Sequence, residues 1–251
     1  MKIKSVKCNK IVVDQYHDKK DQITDFLAKK YHYTYIKTKS LKNYSVHLKS
    51  FTIFIIKKSK GSKININYNN LTKNIKKVCQ VENYTAKLTI EGGEIELLIA
   101  GTRISKIKNK VIKFLNLKDL YDVSKPWGGE TWINGRHPNY AFKIIKLKAG
   151  YKTSLQYHNK KIETNFLYKG IGSLHFSSLN KINKNKFKNF HIFEYIVHPL
   201  STIFVEKKSI HRVEAKTNLI LYEISTPHLD DVIRIEDDTN RKDGLINKEH
   251  K

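Results

Sequence analysis

Residues 150–170, GYKTSLQYHNKKIETNFLYKG, are the stretch of sequence that decides the fold. Gln156 and His158 stand two positions apart in a predicted strand, so their side chains leave the same face. Glu163 follows after a short turn and opens the next predicted strand, which runs back antiparallel to the first. His211 begins a later predicted strand and supplies a second imidazole. Together they form a mixed donor set that suits one divalent metal ion.

Short predicted strands continue on both sides of this stretch. They are β-branched and aromatic runs at close, even spacing, which predicts a jelly roll or a related all-β barrel. The predicted strands are 142–147, 153–158, 164–168, 173–177, 193–197, 201–205, 211–214 and 219–224. The lysine- and asparagine-rich insert 179–189 is predicted to be a solvated hairpin loop.

The composition limits the partners and the compartment. The formal net charge is +25, but only five of the 48 basic residues are arginine, the residue best suited to phosphate and base recognition. Nucleic acid is therefore not an expected partner, whereas a positive field suits small anionic substrates. Two cysteines and no apolar run long enough to span a bilayer predict a cytoplasmic protein without a membrane partner.

The spacing from Gly150 to Gly170 resembles the first sequence motif of the cupin superfamily, with Gln156 in place of that motif's first histidine. The second cupin motif is poorer, because Glu206 and Lys208 replace its proline and glycine and His211 alone remains. This resemblance implies a cupin jelly-roll barrel with a metal held by Gln156, His158, Glu163 and His211. Zinc is the first expectation, with manganese, iron, cobalt and nickel as alternatives.

Three segments resemble the cupin domain of type II mannose-6-phosphate isomerases. They are KPWGGE at 125–130, SLQYH at 154–158 and RIEDDTNR at 234–241. Departures are Lys160, Lys161 and Ile162, where the family favours an arginine, and Asn165, where it favours tryptophan.

The resemblance implies a metal-dependent aldose to ketose isomerisation of a phosphorylated sugar, serving nucleotide-sugar or surface-polysaccharide synthesis. The metal would polarise the sugar oxygens at C1 and C2. Lys125, Lys143 and Arg234 are the candidate catalytic residues, as cations for phosphate or enediolate oxygens. The residue that moves the proton is not identified at this point. The alternative is a non-catalytic sugar-binding or regulatory protein. A homodimer is the assembly that we consider.

The N-terminal half is predicted to be mostly β, except for an amphipathic helix over residues 18–30. The predicted domains are 1–110, a connector at 111–124, the metal-binding cupin at 125–242 and a polar tail at 243–251. A faint repeat aligns Ser45 and His47 with Gln156 and His158, and Thr52 with Glu163. Residues 1–110 are therefore either a degenerate second cupin, which would make the chain a bicupin, or an unrelated small β domain.

Overall fold

The computed structural model describes residues 2–8, 10–177 and 191–246. The predicted loop at 179–189 and the last five residues of the predicted tail lie outside the described residues. Within those ranges the secondary structure is β-strand, apart from one short 3-10 helix at Leu117–Asp119. No helix in the described part of the chain is long and apolar enough to cross a membrane.

Twenty-three strands are numbered in chain order. They are β1 (Lys2–Cys8), β2 (Ile11–Tyr16), β3 (Gln22–Asp25), β4 (His32–Thr38), β5 (Leu41–Val46), β6 (Ser50–Lys58), β7 (Lys63–Tyr68), β8 (Leu71–Asn74), β9 (Val78–Glu82), β10 (Ala86–Glu91), β11 (Ile95–Thr102), β12 (Val111–Leu115), β13 (Tyr121–Lys125), β14 (Gly128–Trp132), β15 (Ala141–Leu147), β16 (Leu155–Tyr157), β17 (Glu163–Lys169), β18 (Gly172–Ser177), β19 (Ile192–Val197), β20 (Ser201–Val205), β21 (His211–Ala215), β22 (Leu219–Ser225) and β23 (Ile233–Glu236).

The chain divides into two compact units. The N-terminal unit is Asp18–Tyr121 with Ile133–Tyr140, and the C-terminal unit is formed by β1, β2, Asp122–Trp132 and the described chain from Ala141 onward. This division differs from the predicted boundaries. β1 and β2 belong to the C-terminal unit because β2 extends its sheet by pairing with β20. The predicted connector contains β12, which pairs with β9 in the N-terminal unit.

The C-terminal unit is a jelly roll made of two antiparallel sheets. One sheet has the order β1-β2-β20-β17-β22-β15-β14-β13, and the other has the order β19-β18-β21-β16-β23. The apolar core lies between them, because Ile145 and Leu221 of the first sheet cluster with Leu174 and Val213 of the second. Alternation along each strand sends every second side chain into this interior. The prediction of an all-β jelly roll for this half is confirmed.

The N-terminal unit repeats the same strand arrangement. Its sheets have the orders β5-β10-β7-β8 and β12-β9-β6-β11-β4-β3. β6 lies between β9 and β11, as β17 lies between β20 and β22. β10 lies between β5 and β7, as β21 lies between β16 and β18. The N-terminal unit is thus a second copy of the jelly roll, and the unrelated β domain is ruled out.

Apolar residues occupy the positions of the proposed ligands in the N-terminal unit. Phe51 pairs with Gly101 on β11, as Glu163 pairs with Ser225 on β22. Val46 pairs with Ala86, as Gln156 pairs with His211. Phe51, Val46 and Ala86 all belong to the hydrophobic core of this unit. The alignments of Ser45 with Gln156 and of Thr52 with Glu163 were therefore each wrong by one residue. The residues at the true positions are not metal ligands, as the prediction for this unit also held.

The predicted helix at 18–30 is also wrong. The segment contains β3, in which Gln22 and Thr24 are buried while Ile23 and Asp25 are exposed. This alternation has the period of a strand rather than that of a helix. Beyond β3, Phe26 packs its ring against Tyr33 with the centroids 5.1 Å apart. Pairing with β4 therefore decides the local structure over the helical spacing of the apolar residues.

Candidate metal centre

Three proposed ligands meet at the ends of three strands of the C-terminal unit. His158 follows β16, Glu163 opens β17 and His211 opens β21. All three are at least 96% buried. Nε2 of His211 lies 3.1 Å from one oxygen of Glu163, and Nε2 of His158 lies 3.6 Å from the other. Two atoms bound tetrahedrally to one ion at about 2.1 Å are about 3.4 Å apart, so these distances fit a shared metal.

Both imidazoles are oriented by backbone carbonyls. Nδ1 of His158 contacts the carbonyl oxygen of Asp231, and Nδ1 of His211 lies 3.0 Å from that of Ser209. A carbonyl oxygen only accepts hydrogen bonds, so each Nδ1 carries the hydrogen. Neither Nε2 has a hydrogen-bond partner among the described residues, although both atoms are buried. Orientation of a ligand histidine through its second nitrogen is typical of metal sites.

His158 is held in its neutral form. Burial, helped by the positive charge of Lys161, lowers the pKa of His158 to about 3. With the hydrogen on Nδ1, a neutral imidazole presents a bare lone pair at Nε2. A buried lone pair beside a carboxylate is unfavourable unless a cation lies between them. The donor set therefore fits a divalent metal, which Nε2 of His158, Nε2 of His211 and the carboxylate of Glu163 would hold.

Lys161 is the unexpected member of this cluster. Its ammonium contacts Oε2 of Glu163 and lies 2.9 Å from Oε1 of Glu223, and the residue is only 5% exposed. Burial alone lowers the pKa of Lys161, but the two carboxylates outweigh it and raise that pKa above its usual value. Burial alone raises the pKa of Glu163, but Lys161 and His211 hold it well below its usual range. The centre thus contains a fixed positive charge of its own.

Gln156 stands beside these three residues on the neighbouring strand. It pairs directly with His211 across β16 and β21 and lines the same cavity as Glu163. Its Oε1 accepts a hydrogen bond of 2.7 Å from the hydroxyl of Ser154. An amide oxygen can accept from two directions, so this contact leaves one lone pair for a metal. Gln156 remains the predicted fourth ligand.

Asp231 shapes the turn between His158 and Glu163. Its carboxylate accepts hydrogen bonds from the backbone N–H groups of residues 159–161, while its carbonyl oxygen accepts from His158. Burial raises the pKa of Asp231, but these backbone donors outweigh it and lower the pKa below its usual value. One residue therefore fixes both the turn and the orientation of a proposed ligand.

Three of the proposed ligands, Gln156, Glu163 and His211, line a cavity of about 110 Å³ inside the barrel. The predicted catalytic residues Lys125, Lys143 and Arg234 all line it. Among the described residues that line the cavity, the cationic side chains outnumber the carboxylates by two, without counting a bound metal. The cations are Lys125, Lys143, Lys161, Arg234 and Arg241, and the carboxylates are Glu130, Glu163 and Glu223. The cavity is therefore suited to an anionic molecule.

The two predicted catalytic lysines share one carboxylate. Lys143 lies 3.3 Å from Glu130 and 4.8 Å from the ring centre of Trp132, and Lys125 lies 3.9 Å from Glu130. Although burial raises the pKa of Glu130, the two lysines lower it to about 2. Both ammonium groups are thus fixed in place. An anion entering the cavity meets cations that are already oriented.

The RIEDDTNR segment is crosslinked mainly by ion pairs. Arg241 lies 2.6 Å from Asp237, and Arg212 lies 3.3 Å from both Glu236 and Asp238. The guanidinium of Arg234 donates to backbone carbonyls, including that of Gly244 at 3.0 Å. The ion pairs of Arg212, together with the pairing of β23 with β16, attach this segment to the barrel.

Sequence reasoning missed Glu223 and Asp231, and it treated Lys161 and Asn165 only as departures from the family that the segments resemble. Asn165 donates to Oε1 of Glu163 at 3.1 Å. A signal for Glu223 was present, because it is the only charged residue in the apolar run LILYEIS. Residues lying two apart on a strand also place Lys161 and Asn165 on the face of Glu163. Only the register between distant strands shows that these groups meet.

Comparisons with known proteins identify the fold. No protein-family model matches the sequence, and neither does any curated protein. The structure is similar to the Escherichia coli protein Ylba, with a TM-score of 0.61, 8% identity and coverage of 88% of this chain and 93% of that one. It is similar to a mutant oxalate decarboxylase of Bacillus subtilis, with a TM-score of 0.59, 10% identity and coverage of 92% of this chain and 77% of that one. It is also similar to the vicilin of hazelnut, Corylus avellana, with a TM-score of 0.59, 7% identity and coverage of 88% and 83%.

At these identities the likeness concerns the fold and does not extend to an activity. These neighbours are cupin-type jelly-roll proteins, and the two units described above share one strand order. The protein therefore has the all-β cupin fold, with a buried cluster of two histidines and a glutamate in its C-terminal jelly roll that is able to hold a metal ion.

Proposed function

We propose that the protein is a metal-dependent isomerase that converts a phosphorylated aldose into the corresponding ketose. The observation that carries the proposal is the position of the three segments that resemble type II mannose-6-phosphate isomerases. Lys125 and Trp127 come from the first segment, Gln156 from the second, and Arg234 and Arg241 from the third, yet all five line one cavity. Shared chemistry explains this arrangement better than three separate structural roles do.

The electrostatics of the cavity support the same substrate class. Its lining has an excess of cations, and the fixed ammonium groups of Lys125 and Lys143 suit the oxygens of a phosphate. A metal held by His158, Glu163 and His211 would supply a Lewis acid for the carbonyl and hydroxyl oxygens of the sugar. Zinc is the first expectation for this ligand set. Apolar side chains, including Trp127 and Leu221, form another part of the cavity wall.

Local structure explains one feature of the first segment without reference to the substrate. Gly128 has a φ of +146°, and a Cβ atom there would lie 2.0 Å from the carbonyl oxygen of Lys146. Only glycine tolerates that approach. The turn it permits places Trp127 in the barrel interior. The glycine of this segment thus positions the tryptophan.

A coupled assay that follows fructose 6-phosphate formed from mannose 6-phosphate tests the proposal. The metal-free protein is loaded in turn with zinc, manganese, iron, cobalt and nickel. We expect turnover with at least one of these metals, and loss of that turnover in His158→Ala together with loss of bound metal. Absence of turnover of mannose 6-phosphate and of other aldose phosphates with every metal would refute the isomerase.

A second candidate is a non-catalytic sugar-binding or regulatory protein. One observation favours it, namely that the ammonium of Lys161 already neutralises Glu163. The site is thereby satisfied in part without a metal. Saturable binding of sugar phosphates to metal-free protein, without turnover under any loading, would favour this candidate.

A further inference from the structure

Glu223 is a buried carboxylate with no function assigned so far. It lies in the middle of β22 and is 5% exposed. Its neighbours on the adjacent strands are Lys143 and Asn165. It lines the same cavity as Glu163 and His211. A charged side chain in an apolar strand is costly to bury, so a role for it is expected.

The contacts of Glu223 leave one of its oxygens open. Its Oε1 accepts hydrogen bonds from the hydroxyl of Ser225 at 3.0 Å and from the ammonium of Lys161 at 2.9 Å. No hydrogen bond to its Oε2 is found within the described residues. The carboxylate is thus fixed through one oxygen, and the other is available to the cavity.

The other two carboxylates of the cavity are already engaged. Glu163 has Lys161 on one oxygen and Asn165 on the other, and it is the proposed metal ligand. Glu130 accepts from Trp132 at 2.8 Å and lies between two lysines. Oε1 of Glu130 lies 3.9 Å from Lys125 and Oε2 accepts from Trp132 and Lys143, so each of its oxygens faces a cation. Among the described carboxylates that line the cavity, Glu223 is therefore the one with an oxygen that neither a hydrogen-bond donor nor a cation contacts.

We propose that Glu223 is the catalytic residue that carries the proton between C1 and C2 of the sugar phosphate, an inference that rests on the proposed isomerase function. Its carboxylate takes the proton from C2. The electron pair of that C–H bond forms the C1–C2 double bond, while the carbonyl pair moves onto O1. The protonated Glu223 then returns the proton to C1. The hydroxyl proton passes from O2 to O1 and C2 becomes the carbonyl, so no further reactant is consumed.

Lys161 is the positioning residue in this step. Its ammonium holds Oε1 of Glu223 while it contacts the proposed ligand Glu163. The proton acceptor and the metal site are therefore fixed relative to one another by a single side chain. Correct placement of a base to within a fraction of an ångström matters for proton transfer.

The test compares Glu223→Gln with wild type and with Glu214→Gln. Glutamine keeps the size of the side chain and an oxygen for Lys161 but accepts no proton. Glu214 is a control in the same unit, outside the cavity lining and paired with Lys216 and His175. The measurements are turnover of mannose 6-phosphate, uptake of deuterium from D2O at C1 of the fructose 6-phosphate formed, and bound metal per chain.

We expect Glu223→Gln to lose at least about 100-fold in kcat and to abolish deuterium uptake, because removal of a general base costs about 10²–10⁴-fold. Its metal content stays equal to that of wild type, and Glu214→Gln keeps wild-type kcat. If Glu223→Gln does not fold, Glu223→Asp replaces it, with reduced but measurable turnover and full metal expected.

Three results would overturn the assignment. Glu223→Gln that keeps more than a tenth of the wild-type kcat shows that another group moves the proton, and the isomerase function still stands. Loss of metal from either Glu223 variant shows that the residue acts through the metal site. Wild-type protein that is inactive with every metal and substrate refutes the isomerase and the role of Glu223 together.

Discussion

Replacement of Lys161 by methionine is expected to destabilise the metal-free C-terminal unit strongly. Methionine has a similar length but no charge, so Glu163 and Glu223 lose the ammonium that each of them contacts. Removal of one partner from a buried ion pair costs about 3–5 kcal/mol. Because two carboxylates are left without their cation, we expect the upper part of this range. At a urea m-value of about 2 kcal/mol/M, the unfolding midpoint falls by about 2–2.5 M.

The assay uses the two tryptophans of the chain. Trp127 and Trp132 both lie in the C-terminal unit, so tryptophan fluorescence follows the unfolding of that unit alone. Lys216→Met is the matched control. Lys216 also faces two carboxylates, Glu214 at 2.9 Å and Glu194 at 3.7 Å, but it is exposed to solvent. We expect its replacement to leave the midpoint nearly unchanged, because exposed ion pairs contribute little.

Metal binding gives an independent measurement on the same variant. Lys161 repels a cation bound to Glu163, so Lys161→Met should bind zinc at least about tenfold more tightly, a change of about 1.4 kcal/mol. Competition with a chromogenic chelator measures this affinity. A midpoint shift as small as that of Lys216→Met, or weaker zinc binding, would contradict the assignment of Lys161 as the fixed cation of the centre.

Three further predictions concern the same unit. His211→Ala should abolish stoichiometric metal by elemental analysis while the far-ultraviolet circular dichroism stays that of a folded β protein, and full metal retention would show that the ligand set is wrong. Asp231→Ala removes the acceptor for three backbone N–H groups and should weaken zinc binding by about 10–100-fold, as outer partners of metal ligands do, whereas unchanged affinity would mean that the turn holds itself. The folded-state pKa of Glu130 is lowered to about 2 from 4.5, so its contribution to stability is complete above about pH 4.5 and is lost as the pH falls toward 2. Glu130→Gln should therefore lose less of its free energy of unfolding than wild type does between these pH values, as measured by urea unfolding. The same pH dependence in the variant and in wild type would contradict this assignment.

The sequence predicted the parts of the site that depend on local spacing. Gln156 in β16, His158 just after it and Glu163 at the start of β17 follow from their spacing along the chain. The expected antiparallel pairing of these two strands was wrong, because β16 and β17 belong to different sheets and meet only through the turn between them. The pairing of Gln156 with His211 agrees with their assignment to one site. Lys161 and Glu223 are 62 positions apart, and their contact depends on how β17 pairs with β22. The residue pattern of neither strand alone predicts which residues of β17 and β22 lie opposite one another.

The errors have equally local causes. In the predicted helix, the apolar spacing was compatible with a turn of helix, but hydrogen bonds to β4 were available and the segment is extended. In the repeat, the loop from Val46 to Phe51 is two residues shorter than the loop from Gln156 to Glu163. Alignment at constant spacing therefore begins one residue early, at Ser45, and ends one residue late, at Thr52. Gly101 marks the correct register, because a Cβ there would lie 2.6 Å from that of Phe51.

The pairing of β2 with β20 has a consequence for biosynthesis. Ile11 faces Val205, which leaves the ribosome almost two hundred residues later. At about 5–20 residues per second this interval is on the order of 10–40 s. Throughout it, β2 is able to pair with β1 but not with β20, and the side chains of Ile11 and Val13 lack the rest of the core to which they belong. The nascent chain therefore exposes an apolar segment while the intervening N-terminal unit is able to fold. Binding of a chaperone to that segment would be most useful during this interval.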